Sequence, residues 1–191
     1  MRSSRAGGVD AVSEVSVRDA TPDDALEIAA VQIASWRTTY TGLVAPEIVA
    51  DHTQIVPRLA IWQRWLADPK RFTVVALVDG VTCAFSAFGP MPERPQGTEP
   101  LPEFDAYLES LYALVAVQRR GIGRALLAAT ASRLRAAGYR SLALHVLATN
   151  PARGFYERLG AEWVRDEPPD PGASWYGCVY GWRDLSCTSF R

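Results

Sequence analysis

The 191-residue sequence is poor in residues that bind metals or form disulfides. It holds three cysteines, Cys83, Cys178 and Cys187, and two histidines, His52 and His145. Because the cysteines are far apart and odd in number, they predict neither a disulfide framework nor the paired spacing of a structural zinc site. We therefore expect a protein without a metal.

Long apolar runs are also missing. The longest, such as residues 111–117, fall far short of the ~20 residues that cross a bilayer. Residues 1–12 are small and polar where a signal peptide would be apolar. With 48% hydrophobic residues, the chain has the composition of one globular domain. We expect a cytoplasmic protein with a disordered leader over residues 1–13, a single domain over 14–185 and a tail over 186–191.

The formal net charge of −1 argues against a general nucleic-acid binder, but the charges are unevenly placed. Residues 118–156 contain arginines and no acid: Arg119, Arg120, Arg124, Arg133, Arg135, Arg140 and Arg153. The preceding segment is acidic, with Glu93, Glu99, Glu103, Asp105 and Glu109. The two segments could bind an anion and a cationic partner, or they could be two solvated faces of opposite sign. Charge alone does not decide between these interpretations.

Strand and helix signals alternate along the first half of the chain. Residues 15–18 predict a short strand. Thr21, followed by Pro22 and two acids, predicts the start of a helix over 22–36 with the apolar stripe Leu26, Ala29, Ala30, Ile33 and Trp36. A second helix is predicted over 57–67. Residues 72–78 and 81–88, joined by Asp79-Gly80, predict a β-hairpin, and the five prolines of 89–102 predict a long exposed loop.

The second half contains a strand–helix–strand unit. Residues 107–117 are apolar almost throughout and predict a strand buried on both faces. A glycine-containing turn and a helix over 124–137 follow, and then a parallel strand over 141–147. Asn150-Pro151 predicts a short helix that Gly160 ends, before strands near 163–165 and 177–183. This order predicts a mixed α/β or α+β layer fold.

The turn at residues 118–123 has the features of a phosphate site. A glycine turn at a helix N-terminus presents free backbone N–H groups to an anion, and the flanking arginines add positive charge. A Rossmann fingerprint would need a glycine where Leu126 stands, and a P-loop would need Gly-Lys-Ser/Thr. Neither is present. A plain strand-to-helix turn remains the alternative.

Two motifs resemble a known family. Residues 118–127, Gln-Arg-Arg-Gly-Ile-Gly-Arg-Ala-Leu-Leu, resemble the Q/R-x-x-G-x-G/A coenzyme A signature of the GNAT superfamily of acetyl-CoA-dependent N-acyltransferases. Asn150, with Phe-Tyr-Glu-Arg-Leu-Gly-Ala at 155–161, resembles its second signature. The element order matches from about residue 14 to 185. The resemblance implies the GNAT fold, a mixed sheet of six or seven strands with a splayed parallel pair and flanking helices.

The same resemblance implies acetyl-CoA as cosubstrate, without a metal. Pantetheine would lie beside Val115 and Val117 of the central strand. Gln118 and Asn150 would also contact the coenzyme. Its pyrophosphate would rest on the amides of the turn, at Arg119, Arg120, Gly121, Ile122, Gly123 and Arg124.

The resemblance also indicates catalytic and acceptor residues. Tyr156 is the candidate acid that protonates the leaving thiolate, with a core or surface tyrosine as the alternative. Glu109, at the start of the central strand, is the candidate base, with a solvated strand end as the alternative. Trp36 and Tyr40 lie in a stretch that resembles the bacterial small-molecule branch, which makes them candidate acceptor-binding residues.

Other chemistry-bearing residues are given structural interpretations. We expect Tyr112 to be a packing residue and His145 to be a satisfied core or edge residue. Cys83 has no basic partner in the sequence, so an acyl-cysteine role is not assigned.

Two departures from the family pattern carry expectations of their own. The family usually has three or four more residues between positions 117 and 118, which predicts an unusually tight turn. One residue is missing between Asn150 and Phe155, which predicts a rotation of Tyr156 by about 100° on its helix.

The predicted function is transfer of an acetyl group to a primary amine of a small molecule. The alternatives are acetylation of a protein N-terminus and a catalytically inert acyl-CoA-binding module. No nucleic-acid or membrane partner is expected, and a homodimer is compatible with the pattern.

Overall fold

A seven-stranded mixed sheet forms the centre of the molecule. The computed structural model describes residues 14–95, 99–168, 176–188 and 190, so the predicted leader lies outside the described part. The strands are β1 (Val15–Asp19), β2 (Phe72–Val78), β3 (Val81–Pro90), β4 (Ala106–Ala113), β5 (Leu142–Leu147), β6 (Glu162–Glu167) and β7 (Gly177–Trp182). Their order across the sheet is β1-β2-β3-β4-β5-β7-β6. β4 and β5 are parallel, and the other neighbouring pairs are antiparallel.

Five helices flank the sheet: α1 (Ala25–Tyr40), α2 (Pro46–His52), α3 (Ile55–Ala67), α4 (Ile122–Ala136) and α5 (Arg153–Arg158). α1 and α3 pack against one face, where Phe85 and Ala87 of β3 are buried. α4 packs against the other face, on which Ala84 and Phe88 lie. Because side chains alternate along a strand, β3 supplies the cores of both layers.

The hairpin between β2 and β3 confirms a local prediction. Asp79 and Gly80 both adopt positive φ, at 51° and 80°. Two central residues in this conformation match the right-handed twist of the flanking strands, and glycine occupies the second without a steric cost. The antiparallel register between Phe72↔Phe88 and Val78↔Val81 follows from this turn.

The parallel pair β4 and β5 separates almost as soon as it forms. Ladder pairing covers Ala106↔Leu142 and Tyr107↔Ala143. On its other side β4 pairs with β3 along its whole length. Leu108 pairs with Phe88 and Ser110 pairs with Ala87, so Glu109 has no partner in β3 and forms a β-bulge. A bulge bends its strand, so the separation of the two strands begins where β4 is bent. The predicted splayed parallel pair is thereby confirmed.

The extent of β4 differs from the prediction. The strand ends at Ala113 rather than at Val117, and Val115–Val117 form one 3₁₀ turn. The amide of Leu114 still bonds to the carbonyl of Cys83, after which the chain turns away from the ladder. Val117 is buried in the core beside α4, whereas Val115 is 60% exposed. A short apolar run does not distinguish a buried strand from a buried turn.

The buried stripe of α1 was predicted only in part. Ala29 and Ile33 are buried as predicted, but Leu26 is 56% exposed. Ala25, Ile28 and Gln32, which were not predicted, are also buried at helical spacing. The apolar residues of this alanine-rich helix occupy more than one stripe. Its contacts with α3 and β3 decide which stripe is buried.

The proline-rich segment is less exposed than predicted, and one helix was missed. β3 extends to Pro90, and Leu101 and Phe104 are buried against Ala143 and Val179. This segment therefore covers part of the sheet. α2 carries no buried residue, so it lacks the apolar periodicity that predicts a helix.

Candidate functional site

A cavity of about 1480 Å³ passes through the sheet where β4 and β5 separate. It is lined from the α4 face by the glycine turn and α5, and from the opposite face by α1, α2 and α3. Small-molecule pockets usually measure about 300–1,000 Å³. The cavity is therefore large enough for an extended ligand that enters from one face and a second molecule that enters from the other.

The glycine turn, residues 118–124, forms one mouth of this cavity. Arg119 and Gly121 both have positive φ, at 59° and 83°. The amide of Ala125 donates to the carbonyl of Gly121 at 3.0 Å, which is the first helical hydrogen bond of α4. The backbone amides before Ala125 lie ahead of this bond and can donate to a ligand. Successive amides in this conformation form a concave anion-binding nest at the positive end of a helix dipole. The predicted phosphate site therefore has suitable backbone geometry.

The structure places the candidate coenzyme residues unequally around this mouth. Those that line the cavity are Val115, Gln118, Arg119, Gly121, Gly123, Arg124 and Asn150. Ile122 is 2% exposed and packs in the core, so only its backbone could contact a ligand. Val117 is likewise a core residue, and the exposed Arg120 does not line the cavity. Since β4 ends at Ala113, strand-like bonds to residues 115 and 117 do not fit, and the separated edge of β4 spans residues 108–113.

The expectation of a tight turn was wrong for the same reason. Eight residues, 114–121, connect β4 to α4. The side-chain amide of Gln118 donates to the carbonyl of Ala113 at 3.0 Å, which links the turn to the end of the strand. The apparent deletion arose from extending the strand four residues too far.

Gly123 lies at a close contact between α4 and α5. A Cβ atom at this position would lie 3.1 Å from the ring of Phe155. The second motif thus supports the first, because Phe155 closes over the start of the helix that carries the glycine turn. Asn150 begins the same segment: its Oδ1 accepts a hydrogen bond from the amide of Ala152 at 2.9 Å.

Tyr156 lines the cavity and is 7% exposed. Burial, together with the nearby Tyr40, raises its pKa well above the ordinary value, so its hydroxyl keeps its proton at neutral pH. The phenol lines the cavity despite the residue missing before Phe155.

An aromatic wall, formed by Trp36, Tyr40, His52 and Tyr112, lines the cavity from the face of α1. The ring of Trp36 lies 4.2 Å from that of Tyr40 and is stacked on His52 at 4.0 Å. The hydroxyl of Tyr40 interacts with Tyr112 and with the side chain of Asn150. The structure thus brings together Trp36, Tyr40 and Asn150, which come from distant parts of the chain.

Tyr112 was interpreted as a packing residue, which is incomplete. Its ring contacts Phe85, but its hydroxyl interacts with Tyr40 and the residue lines the cavity. Burial raises the pKa of this phenol well above its usual value. The bulge at Glu109 interrupts the alternation of side chains along β4. Counting alternate residues from Glu109 therefore does not predict which face of the sheet Tyr112 lies on.

Glu109 lies at the bend of β4, where the cavity passes through the sheet, and it lines the cavity there. Burial raises the pKa of its carboxyl above the ordinary value, and the positive charge of Arg71 opposes this shift. A carboxylate with a raised pKa is a better proton acceptor near neutral pH than an exposed one. Its position and environment are compatible with the role of a base.

His145 belongs to a buried cluster on the same face as α1. Its Nδ1 lies 2.9 Å from the hydroxyl of Tyr107, and its Nε2 lies 3.5 Å from Oε1 of Glu167. Burial lowers the pKa of His145, although Glu167 opposes this shift. Arg165 donates to Glu167 at 2.8 Å. His145 has structural partners, and both His145 and Glu167 also line the cavity.

The acidic residues of segment 93–109 have different positions in the structure. Glu99 and Glu109 of the acidic segment line the cavity. The carboxylate of Asp105 instead accepts hydrogen bonds from the amides of Arg140 and Ser141 before β5, at 2.9 and 2.8 Å.

Among the described residues no cluster of three His, Cys, Asp or Glu side chains could hold a metal. No helix in the described part is long and apolar enough to span a membrane.

A parallel pair that separates around a cavity, with a glycine turn at one mouth, is the arrangement of an acyltransferase of the GNAT fold. The model of the acetyltransferase (GNAT) family matches residues 32–161. The chain therefore belongs to the GNAT family of acetyltransferases. The family match includes both motifs and the aromatic residues of α1.

Similar proteins agree with this assignment. The uncharacterized N-acetyltransferase YuaI of Bacillus subtilis (strain 168) is 31% identical over 174 residues, which are 90% of this chain and 95% of YuaI. The PaiA N-acetyltransferase from Thermoplasma acidophilum, solved in complex with coenzyme A, has a TM-score of 0.67 and 18% identity and covers 88% of this chain and 99% of its own. YncA from Salmonella typhimurium, a putative acetyltransferase solved with acetyl-CoA, has a TM-score of 0.62 and 18% identity and covers 90% and 94%.

Proposed function

We propose that this acetyltransferase transfers an acetyl group from acetyl-CoA to a primary amine of a small molecule, by direct attack within a ternary complex. The observation that carries the proposal is the continuity of the cavity. One mouth is built from backbone amides suited to a pyrophosphate, and the same space reaches an aromatic wall on the other face. The structural neighbours solved with coenzyme A and acetyl-CoA support this choice of cosubstrate.

The coenzyme would occupy the α4 face. Its pyrophosphate would accept hydrogen bonds from the amides of the glycine turn, and Arg119 and Arg124 would add charge-assisted contacts. Its pantetheine would follow the separated edge of β4 over residues 108–113, where β5 no longer pairs with the strand. This route leads from the glycine turn towards the bulge at Glu109.

The chemistry begins with removal of a proton from the acceptor. An alkyl ammonium has a pKa of about 10.4, so a neutral amine must be generated before attack. Glu109 accepts this proton, directly or through a water molecule. The amine nitrogen then attacks the thioester carbonyl, and a backbone N–H of β4 stabilises the negative charge on the carbonyl oxygen.

Collapse of the tetrahedral intermediate breaks the carbon–sulfur bond and releases a thiolate. Tyr156 donates its hydroxyl proton to this sulfur. Since burial keeps the phenol protonated at neutral pH, the donor is in the required state when the thiolate forms. The acylated nitrogen gives up its second proton, which returns through solvent to the Tyr156 phenolate, and Glu109 releases the first proton to solvent. The products are the acetylated amine, free coenzyme A and one proton.

The aromatic wall would receive the acceptor. Trp36 and Tyr40, with Tyr112 behind them, offer large apolar surfaces with polar edges, which suit a small organic molecule. Acetylation of a protein N-terminus and an inert acyl-CoA-binding module remain the competing functions. The features that suggested an inert module were a shortened turn and a displaced tyrosine, and the structure has an eight-residue turn and a tyrosine in the cavity.

The test is thiol release from acetyl-CoA with a panel of small primary amines and short peptides, alongside calorimetric binding of coenzyme A. Turnover with a small amine is the expected result. Turnover restricted to peptides would favour the protein N-terminus, whereas tight coenzyme binding without any turnover would favour the module.

A further inference from the structure

Arg58 of α3 lines the acceptor side of the cavity without a carboxylate partner among the described residues. One terminal nitrogen donates to the carbonyl of His52 at 3.3 Å. The Nε atom is buried and has no hydrogen-bond partner in the described structure. A buried donor without a partner is energetically unfavourable, so this guanidinium is poorly satisfied by the protein itself.

A second polar atom in the same neighbourhood shares this condition. The hydroxyl of Ser35 lines the cavity, is buried and lacks a hydrogen-bond partner among the described residues. Ser35 precedes Trp36, whose ring is stacked on His52, and His52 in turn holds Arg58. The indole Nε1 of Trp36 is also buried without a partner in the described structure. Three unsatisfied donors from two helices therefore lie around one end of the aromatic wall.

Three carboxylates line the cavity, at Glu99, Glu109 and Glu167. Glu109 lies at the separation of β4 and β5, Glu167 is bonded to Arg165 at 2.8 Å, and the backbone carbonyl of Glu99 accepts a bond from the same arginine at 2.9 Å. None of the three forms an ion pair with Arg58 in the described structure. The acceptor side is thus polarised, with negative charge near the proposed site of acetyl transfer and positive charge at the end formed by α3.

We propose that the acceptor is an amine that also carries one carboxylate, and that Arg58 binds this carboxylate while Ser35 donates to it. This inference rests on the proposed function and names its substrate class. A guanidinium binds a carboxylate through parallel N–H donors, and Nε with a terminal nitrogen supplies such a pair. Arg58 is the one arginine or lysine of α1, α2 and α3 that lines the cavity among the described residues, and its single charge matches a singly charged carboxylate. The ammonium group then points towards Glu109, and the aromatic wall covers the carbon chain between the two charges.

The test uses ω-amino carboxylates from glycine to 6-aminohexanoate, each compared with its own carboxamide, as acceptors in the thiol-release assay. The series varies the distance between the amine and the carboxylate. At the best chain length the wild-type enzyme should prefer the carboxylate over the carboxamide by at least tenfold in kcat/KM. Arg58→Gln should lower kcat/KM for the carboxylate by at least tenfold and leave the carboxamide within about twofold.

Arg64→Gln is the matched control, because Arg64 is an exposed arginine on the same helix that does not line the cavity. It should leave the preference unchanged. Arg58→Lys keeps the charge without the fork and should retain part of the preference. Equal loss with both acceptors in Arg58→Gln, or equal turnover of every carboxylate and carboxamide by the wild type, would overturn the inference while the acetyltransferase function stands.

A binding measurement covers the case in which no member of the series is acetylated. The coenzyme-A-bound protein is titrated with the same carboxylates and carboxamides and followed by NMR chemical shifts. Tighter binding of a carboxylate, lost in Arg58→Gln and kept in Arg64→Gln, supports the inference. Equal binding of both series, or failure of both to bind, overturns it. Calorimetry with coenzyme A checks separately whether the proposed function itself has failed.

Discussion

The two mouths of the cavity are built by different means. The glycine turn is one contiguous segment, residues 118–124, and what it presents is mainly backbone N–H groups at the start of α4. The acceptor side is assembled from α1, α2, α3, β4, β5 and β6, and what it presents is side chains. A backbone site binds what every member of a family shares, whereas a side-chain site can change with each substrate. This difference explains why the two family motifs include the glycine turn, whereas the opposite side was indicated only by the looser resemblance at Trp36 and Tyr40.

The largest expected effect concerns Tyr156, where the two mouths meet. Tyr156→Phe retains the ring and removes the hydroxyl, so kcat should fall by roughly 10² to 10⁴ while coenzyme A affinity stays nearly constant. Steady-state kinetics and calorimetry measure the two quantities. Tyr180→Phe is the control, because Tyr180 is a buried tyrosine that does not line the cavity. Normal kcat in Tyr156→Phe would make Tyr156 a structural residue and water the proton donor.

The next effect concerns proton removal by Glu109. Its pKa is raised in the folded protein, so the carboxylate form is lost at a higher pH than for an exposed glutamate. We therefore expect kcat/KM to fall as the pH decreases through this raised pKa. Glu109→Gln should lower kcat by roughly 10² and remove that acidic limb from the pH–rate profile. If the acidic limb is unchanged in Glu109→Gln, another titrating group produces that limb. His145, which also lines the cavity, is the next candidate.

A smaller effect is expected at the coenzyme mouth. Gly123→Asp introduces a negative charge where the pyrophosphate is proposed to bind, and loss of one charge-assisted bond should weaken coenzyme A binding at least tenfold. Gly123→Ala is its control, since any Cβ here meets the ring of Phe155 at 3.1 Å. The difference between the two variants isolates the charge from the packing. Equal affinity for coenzyme A in both would contradict the phosphate assignment.

The smallest effect separates the acceptor-side scaffold from the chemistry. Asp24, at the start of α1, binds Arg18 at 2.7 Å, and this guanidinium lowers the pKa of Asp24 from 3.8 to about 2. The stabilisation is present above the ordinary pKa and is lost as the pH falls towards 2. Asp24→Asn should reduce the free energy of unfolding by about 1–2 kcal/mol at pH 7 and leave kcat unchanged. Denaturant melts at pH 7 and pH 3 test this, with the exposed Asp23→Asn as control; equal stability of the two variants would contradict it.

The sequence by itself determined the features that depend on neighbouring residues. Asp79-Gly80 determined a hairpin because both residues tolerate positive φ, and Gly121 and Gly138 mark the two ends of α4 for the same reason. The order of the strands along the chain, the parallel pair and all helices except α2 were predicted correctly from such signals. The phosphate-binding role of the glycine turn stays a prediction. The chain's membership in the GNAT family followed from two local motifs.

Only the tertiary structure decided where the strand β4 bends and ends, and with it most of the acceptor side. The bulge at Glu109 depends on the register with β3, and the end at Ala113 depends on the turn that buries Val117. Trp36, Arg58, Tyr112 and Glu167 come together from four different elements. No local pattern encodes such contacts, because each residue alone has an equally good interpretation as a surface or core residue. Long-range packing assigns these residues to one cavity. The glycine turn could therefore be predicted from one contiguous segment, whereas on the opposite side the sequence indicated only Trp36 and Tyr40, through the resemblance.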